Sequence, residues 1–418
     1  MDKLIITGGV SLKGDVQISG AKNAALPALA ASLLAPGKSR LRHVPDLMDI
    51  KTMGRLLESL GAVYRYDKSL SEAEIDTSGI NNFEAAYELV KTMRASVMVL
   101  GPLLARFGTA RVSLPGGCAI GARPVNLHIS ALRKMGAEIA LEDGYIIAKA
   151  ERLRGASIYF DMATVTGTEN LMMAASLAKG TTVMENAARE PEVVDLADML
   201  TSMGAKVYGA GEGTIEIEGV DELKPFDHRV IPDRIEAGTF MAAAAITGGD
   251  IVLRGCETGH LEAVITKIKE IGVSFEKLPQ GLRVKGSGRP VAEDVRTLPY
   301  PGFPTDMQAQ FMALMSVADG TSIITETIFE NRFMHAAELR RMGADISVQS
   351  GSATVKGVAG LKGADVMATD LRASASLVVA ALAAEGQTTI HRLYHLDRGY
   401  EAMEEKLKGV GALLERVK

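Results

Sequence analysis

The chain predicts an α/β fold made of two similar domains, each of three repeated units. Three observations carry this: a glycine that recurs at a near-fixed interval, two alternating kinds of helical stretch, and a proline-bracketed polar segment near the middle. The segments ESLGAVY, RKMGAEI, TSMGAKV, KEIGVSF, RRMGADI and KGVGALL put that glycine at positions 61, 136, 204, 272, 343 and 411. The intervals of 75, 68, 68, 71 and 68 define six units that fill the chain.

Each unit takes its elements in the same order. The stretch before each recurring glycine is amphipathic; in HLEAVITKIKEIG, Leu261, Val264, Ile265, Ile268 and Ile271 share one helical face. The glycine then reads as the C-terminal cap. Earlier in the unit a small-residue helix ends at another glycine and runs into a short strand, as in MMAASLAKGTTVME, FMALMSVADGTSIITE and VVAALAAEGQTTIHR. Alternating stretches such as TIEIEG, ATVKG and YIIAKA supply further strands. One unit therefore reads βαβαββ.

The best domain boundary is DELKPFDHRVIPD, residues 221–233, where Pro225 and Pro232 bracket a polar stretch. The opening LIITGGVSLKGDVQISGAKNAAL reads like ATVKGVAGLKGADVMATDLRASASL near the other end. It therefore reads as the closing strands of a unit. The expected domains are 21–230, and 1–20 together with 231–418. The chain then crosses between domains twice, a hinge suited to closing over a ligand.

Composition narrows the function. The 418 residues are 47% hydrophobic and 23% charged, with a net charge of −5, which argues against a general nucleic-acid binder. Two cysteines make no disulfide framework and point to a reducing compartment. The start MDKLIITGGV lacks the apolar core of a signal peptide, and no apolar run reaches membrane-spanning length. The expected location is the cytoplasm.

Overlaying the units shows polar residues where a repeated core should look alike. The starts of the small-residue helices carry Lys22 and Asn23, Arg94, Thr164 to Glu169, Glu236, Asp306, and Asp370 with Arg372. The starts of the second helices carry Cys118 and Arg123, Arg189, His260, Arg332 and Arg398. Helix starts present unpaired N–H groups that favour anions, although caps and surface pairs use the same residue types.

One unit is longer than its siblings. From the first helix-ending glycine to the second, the units span 24, 28, 24, 24, 23 and 25 residues. The excess lies in PGGCAIGARP, a glycine-rich insertion that holds Cys118 with Arg123 five residues on. A thiol so placed is expected to have thiolate character, whereas Cys256 in VLRGCETGH reads as an inert core residue.

Other motifs fail. SLLAPGKS has Ser32 where a phosphate loop needs glycine, and GAGEGT lacks the last glycine of a dinucleotide fingerprint. His391 and His395 lack an evident third metal ligand.

GAKNAALPALAASLLAPG, PGGCAIGARPVNLH, NAAREPEVVDLADML, FPTDMQAQFMAL, FENRFMH, TDLRASASLVVAALAAEG and YHLDRGYE together resemble the UDP-N-acetylglucosamine 1-carboxyvinyltransferase family, over essentially the whole chain. The resemblance implies two inverse α/β domains, barrel-like, with three repeats each around buried helices. It implies transfer of the enolpyruvyl group of phosphoenolpyruvate to the 3′-hydroxyl of UDP-N-acetylglucosamine, with release of phosphate, at the head of peptidoglycan synthesis. It implies no cofactor, no metal and no obligate protein partner.

The resemblance also assigns roles. Lys22, Arg123 and Arg398 surround phosphoenolpyruvate, with Arg332 and Arg372 nearby. Cys118 is the general acid, able to add to the substrate and open to the epoxide fosfomycin. Asp306 accepts the sugar hydroxyl proton, and Asp370 is a second candidate base. Asn23, Arg94, Arg123, Pro124, Val125, Asn126, Leu127, Thr164 and Ile328 contact the nucleotide sugar. Many relatives have aspartate where Asn126 stands; an amide still accepts a hydrogen bond but lacks the charge.

Three competing readings stand beside this one. A 3-phosphoshikimate transferase shares the architecture, an RNA-end-processing enzyme would want a basic surface, and a non-catalytic scaffold would need neither Cys118 nor Asp306.

Overall fold

The computed structural model describes residues 2–91, 93–114 and 125–418. All six recurring glycines adopt positive φ, between 92 and 105°. That region strains any residue with a Cβ, which is why glycine ends each of these helices. The helices they close are Met48–Ser59, Asn126–Lys134, Pro191–Ser202, Glu262–Glu270, His335–Arg341 and Met403–Gly409.

The small-residue stretches form the inner helices Lys22–Ala31, Leu100–Phe107, Val165–Ala175, Arg234–Ile246, Gln308–Met315 and Leu371–Ala383. Every residue of Gln308–Met315 is buried, as is the run from Arg372 to Leu382. Helices apolar on nearly all sides belong in the interior, and their alanines let neighbours approach closely.

The described strands form six four-stranded sheets and close no barrel. The expected domains are barrel-like in their repeats around buried helices, without closure of a sheet. In five of the sheets a strand of two or three residues, and in the sixth the five-residue Lys13–Gln17, runs parallel to a five-residue strand, which then pairs antiparallel with the next. In one sheet Asp365–Met367 runs parallel to Gln387–His391, and Lys3–Thr7 lies antiparallel between the latter and Leu413–Val417. Strands such as Thr214–Glu218 alternate, with Ile215 and Ile217 inward.

The chain divides into two compact units, with boundaries after Ser19 and after Ile231. Each has one hydrophobic core. One runs from Ala21 to Val230; the other joins Leu4, Ile6, Leu12, Val16 and Ile18 to residues from Ile235 to Ala412. The strands beside the boundaries are exchanged between repeats: Lys13–Gln17 pairs in parallel with Asp250–Arg254, and Asp227–Arg229 with Lys38–Arg42. In the C-terminal unit Glu236 anchors the crossing chain. Its carboxylate accepts from the Ser19 amide at 2.7 Å and from Lys406 Nζ at 2.6 Å.

Candidate active site

The C-terminal unit gathers three of the expected residues into one hydrogen-bonded cluster. Asp306 sits in the short turn Thr305–Met307 that leads into the inner helix Gln308–Met315. Its Oδ1 accepts from Arg332 Nη2 at 2.8 Å. Its Oδ2 accepts from Arg372 Nη2 at 2.9 Å and Nε at 3.1 Å. Both arginine side chains are 4% exposed, while the Asp306 side chain keeps 27%. A carboxylate with two guanidinium forks is over-supplied with cations, and Arg332 Nη1 is buried without a partner among the described residues.

Burial alone would raise the Asp306 pKa, but the charges of Arg372 and Arg332, with their hydrogen bonds, outweigh it. They hold the carboxyl well below the usual carboxylate range. For Arg372, burial opposes the charged form, and Asp306 and Tyr400 more than restore it.

Asp370 is the N-cap of Leu371–Ala383, accepting from the amides of Arg372 at 2.8 Å and Ala373 at 3.0 Å. One of its oxygens is thus committed to the helix that carries Arg372. Ile328 is half-buried in a turn set by Glu326, whose Oε1 accepts from the Ile328 amide at 2.8 Å and whose Oε2 accepts from Thr305 at 2.8 Å. Glu326 therefore ties the Ile328 turn to the residue before Asp306. Arg398 ends the turn Leu393–Arg398 and is half-buried.

In the N-terminal unit, Lys22 begins the helix Lys22–Ala31 and is 8% exposed. Its Nζ pairs with Asp49 Oδ2 at 3.1 Å, so its charge sits inside the protein with a counter-ion. Asn23 beside it is exposed. Arg94 opens the turn Arg94–Val99. Val125 precedes the helix Asn126–Lys134, with Asn126 exposed and Leu127 half-buried. His128, next along, is pushed to about 4 by burial and then by the Arg94 charge. Thr164 caps Val165–Ala175, its hydroxyl oxygen accepting from the Gly167 amide at 3.2 Å. Cys118, Arg123 and Pro124 lie outside the described residues.

Sequence reasoning missed Asp49, Glu326, Thr239, Gln310 and Tyr400. The last three bond to one another beside Arg372, yet in the sequence they look like ordinary core and cap residues.

Comparison with known proteins decides the family. A family model described as EPSP synthase (3-phosphoshikimate 1-carboxyvinyltransferase) matches residues 6–407. The chain belongs to the EPSP synthase family. Among this family's members, a protein of Thermodesulfovibrio yellowstonii named UDP-N-acetylglucosamine 1-carboxyvinyltransferase is 63% identical over the full length of both chains. One of the same name from Geobacter metallireducens is 62% identical, again end to end. The solved structure of the enolpyruvyl transferase NikO from Streptomyces tendae superposes with a TM-score of 0.90 at 26% identity, over all of this chain and 99% of the other. An EPSP synthase structure from Acinetobacter baumannii, covering all of both chains, gives 0.78 at 21% identity, a likeness of fold alone.

Proposed function

We propose that this member of the EPSP synthase family transfers the enolpyruvyl group of phosphoenolpyruvate to the 3′-hydroxyl of UDP-N-acetylglucosamine and releases phosphate, opening peptidoglycan synthesis. The observation that carries this reading is Asp306 held by Arg332 and Arg372, with a donor on Arg332 that has no partner among the described residues. Phosphoenolpyruvate brings a carboxylate and a phosphate, and planar guanidinium forks suit both. Lys22, Arg123 and Arg398 surround this substrate in this reading, with Arg332 and Arg372 nearby.

Addition needs a proton at C3 of the enol while the sugar oxygen attacks C2. Cys118 supplies the proton as general acid and can itself form a covalent adduct at C2. Asp306 receives the proton of the sugar hydroxyl. The cations then stabilise charge that develops through the tetrahedral intermediate. Its collapse expels phosphate and removes a C3 proton, for which Asp370 has one oxygen outside its capping bonds. Asn23, Arg94, Arg123, Pro124, Val125, Asn126, Leu127, Thr164 and Ile328 hold the nucleotide sugar. The cytoplasm as place of action belongs to the same reading: a reducing compartment keeps a thiol at Cys118 reactive. No described helix is long and apolar enough to cross a membrane.

The test is phosphate release from phosphoenolpyruvate with UDP-N-acetylglucosamine or with 3-phosphoshikimate as acceptor, before and after treatment with fosfomycin. The reading expects release with the nucleotide sugar alone, abolished by fosfomycin and by Cys118→Ser. Release with 3-phosphoshikimate only, or a fully active Cys118→Ser protein, would overturn it.

A further inference from the structure

We propose that Tyr400, with Thr239 and Gln310, is a positioning residue for the transfer: it fixes the Arg372 guanidinium while that group exchanges the carboxylate of Asp306 for the carboxylate of the incoming substrate. The proposal rests on the functional reading above.

The hydrogens around Tyr400 can be followed one by one. Thr239 Oγ1 donates to the Ile235 carbonyl at 2.8 Å, so that oxygen is left to accept. The Tyr400 hydroxyl, 3.0 Å away, donates to it. Gln310 Nε2 donates one hydrogen to Thr239 Oγ1 at 3.0 Å and the other to the Tyr400 oxygen at 3.1 Å. The Tyr400 oxygen therefore faces Arg372 as an acceptor, and Arg372 Nη1 donates to it at 3.2 Å. Burial keeps the phenol protonated, raising its pKa against the Arg372 charge and the Thr239 bond.

These anchors come from separate parts of the core. Thr239 is on the helix Arg234–Ile246, Gln310 on Gln308–Met315, and Tyr400 just beyond the turn Leu393–Arg398. Thr239 and Gln310 have no exposure and Tyr400 has 2%, so this edge of Arg372 is held by rigid packing. Among the described residues the opposite edge, Nε and Nη2, is held by Asp306 alone.

That asymmetry suits an exchange of partners. Between two guanidiniums Asp306 is a poor proton acceptor, and it gains proton affinity only when another anion draws on those cations. A substrate carboxylate does this, taking Arg332 Nη1, which has no partner among the described residues, and a share of Arg372 while adding its own negative charge. Arg372 must stay in place as its partners change, and the Tyr400 oxygen is the bond that does not change.

Tyr400→Phe removes only the hydroxyl. The expected result is a KM for phosphoenolpyruvate raised about tenfold, the scale of a lost hydrogen bond to a charged group. At saturating phosphoenolpyruvate, kcat falls less than about threefold and the KM for UDP-N-acetylglucosamine moves less than about twofold. A purely structural role would instead lower the melting midpoint and the active fraction, leaving the KM for phosphoenolpyruvate alone. Thr239→Val, which removes the acceptor of the Tyr400 hydrogen, is expected to shift the same KM in the same direction, and it decides the matter if Tyr400→Phe does not fold. Calorimetric titration of phosphoenolpyruvate into the full chain reads the loss without turnover. An unsubstituted protein that releases no phosphate therefore overturns the functional reading, whereas a folded Tyr400→Phe protein with unchanged affinity overturns the positioning role.

Discussion

Glu169 in the N-terminal unit and Glu236 in the C-terminal unit are both almost wholly buried on inner helices, at 1% and 2% exposure. The two units treat them in opposite ways. Around Glu236 stand the Lys406 ammonium and the Ser19 amide, which offset much, though not all, of the upward push of burial on its pKa. Around Glu169 stand other acids: burial first, then Glu192, Glu190 and Asp195, push its pKa well above the ordinary range. Its Oε1 finds no hydrogen-bond partner among the described residues. One carboxyl is paired with a cation from another element, whereas the other is pushed toward its protonated form by burial and acidic neighbours. The same scaffold accepts either solution, so a buried acid in this fold is not by itself a mark of function. Asp306 stands apart because it has two cations where one would do.

The largest effect should come from breaking that excess. Asp306→Asn keeps the shape and removes the charge; it should bind both substrates and turn over at least about a hundredfold more slowly, the scale of a lost general base. Stability gives a second readout. The folded Asp306 pKa lies below the unfolded value of 3.8, so its contribution is fully present above that pH. It fades as the pH falls toward the folded value. The stability gap between the unsubstituted protein and Asp306→Asn should hold steady from pH 5 to 8. Below about pH 4 it should narrow by about 1.4 kcal/mol per pH unit. A gap independent of pH down to 2 would mean that the arginines do not hold this carboxylate.

Next in size is the contrast between the two glutamates. Lys406→Met leaves Glu236 buried without its cation and should cost about 3–5 kcal/mol in denaturant unfolding at pH 7. The double variant with Glu236→Gln should recover much of that loss. Glu169→Gln replaces a carboxyl that burial pushes toward its protonated form by a neutral amide, so the change at pH 5 should stay within about 1 kcal/mol. A raised folded pKa means that the folded state binds more protons, so the unsubstituted protein loses stability as pH rises above 4.5. Glu169→Gln should therefore gain on it between pH 5 and 8. Equal losses in Lys406→Met and Glu169→Gln would erase the distinction drawn between the units.

Much of the fold could be read because it repeats. The glycines at 61, 136, 204, 272, 343 and 411 require a backbone that other residues avoid, and the alanine-rich helices between them have no polar face to show to water. The site was legible in part. Lys22, Asp306, Arg332 and Arg372 stood out because repeats should agree and these positions do not. Asp49, Glu326 and Tyr400 did not stand out, since each acts through a contact 20 or more residues away in sequence, and a lone Asp, Glu or Tyr in an apolar stretch gives no local signal. Thr164 and Asp370 show the reverse. Both sit at helix starts and both cap, so the ordinary use of those residue types is present alongside any chemical one.

The smallest effect concerns the second thiol, Cys256. Cys256 packs against the C-terminal core, and burial, then the nearby Glu257 charge, pushes it up to about 12. At pH 8 that leaves very little thiolate, and the thiolate is the nucleophile. Treatment of the full chain with fosfomycin or iodoacetamide at pH 8, followed by peptide mass mapping, should therefore leave Cys256 unmodified over hours. Cys118→Ser should leave the whole protein unlabelled on the same timescale. Labelling of Cys256 at a rate comparable with a free thiol would mean that the core around it opens readily. The apolar packing of the C-terminal unit would then be weaker than the burial of its helices implies.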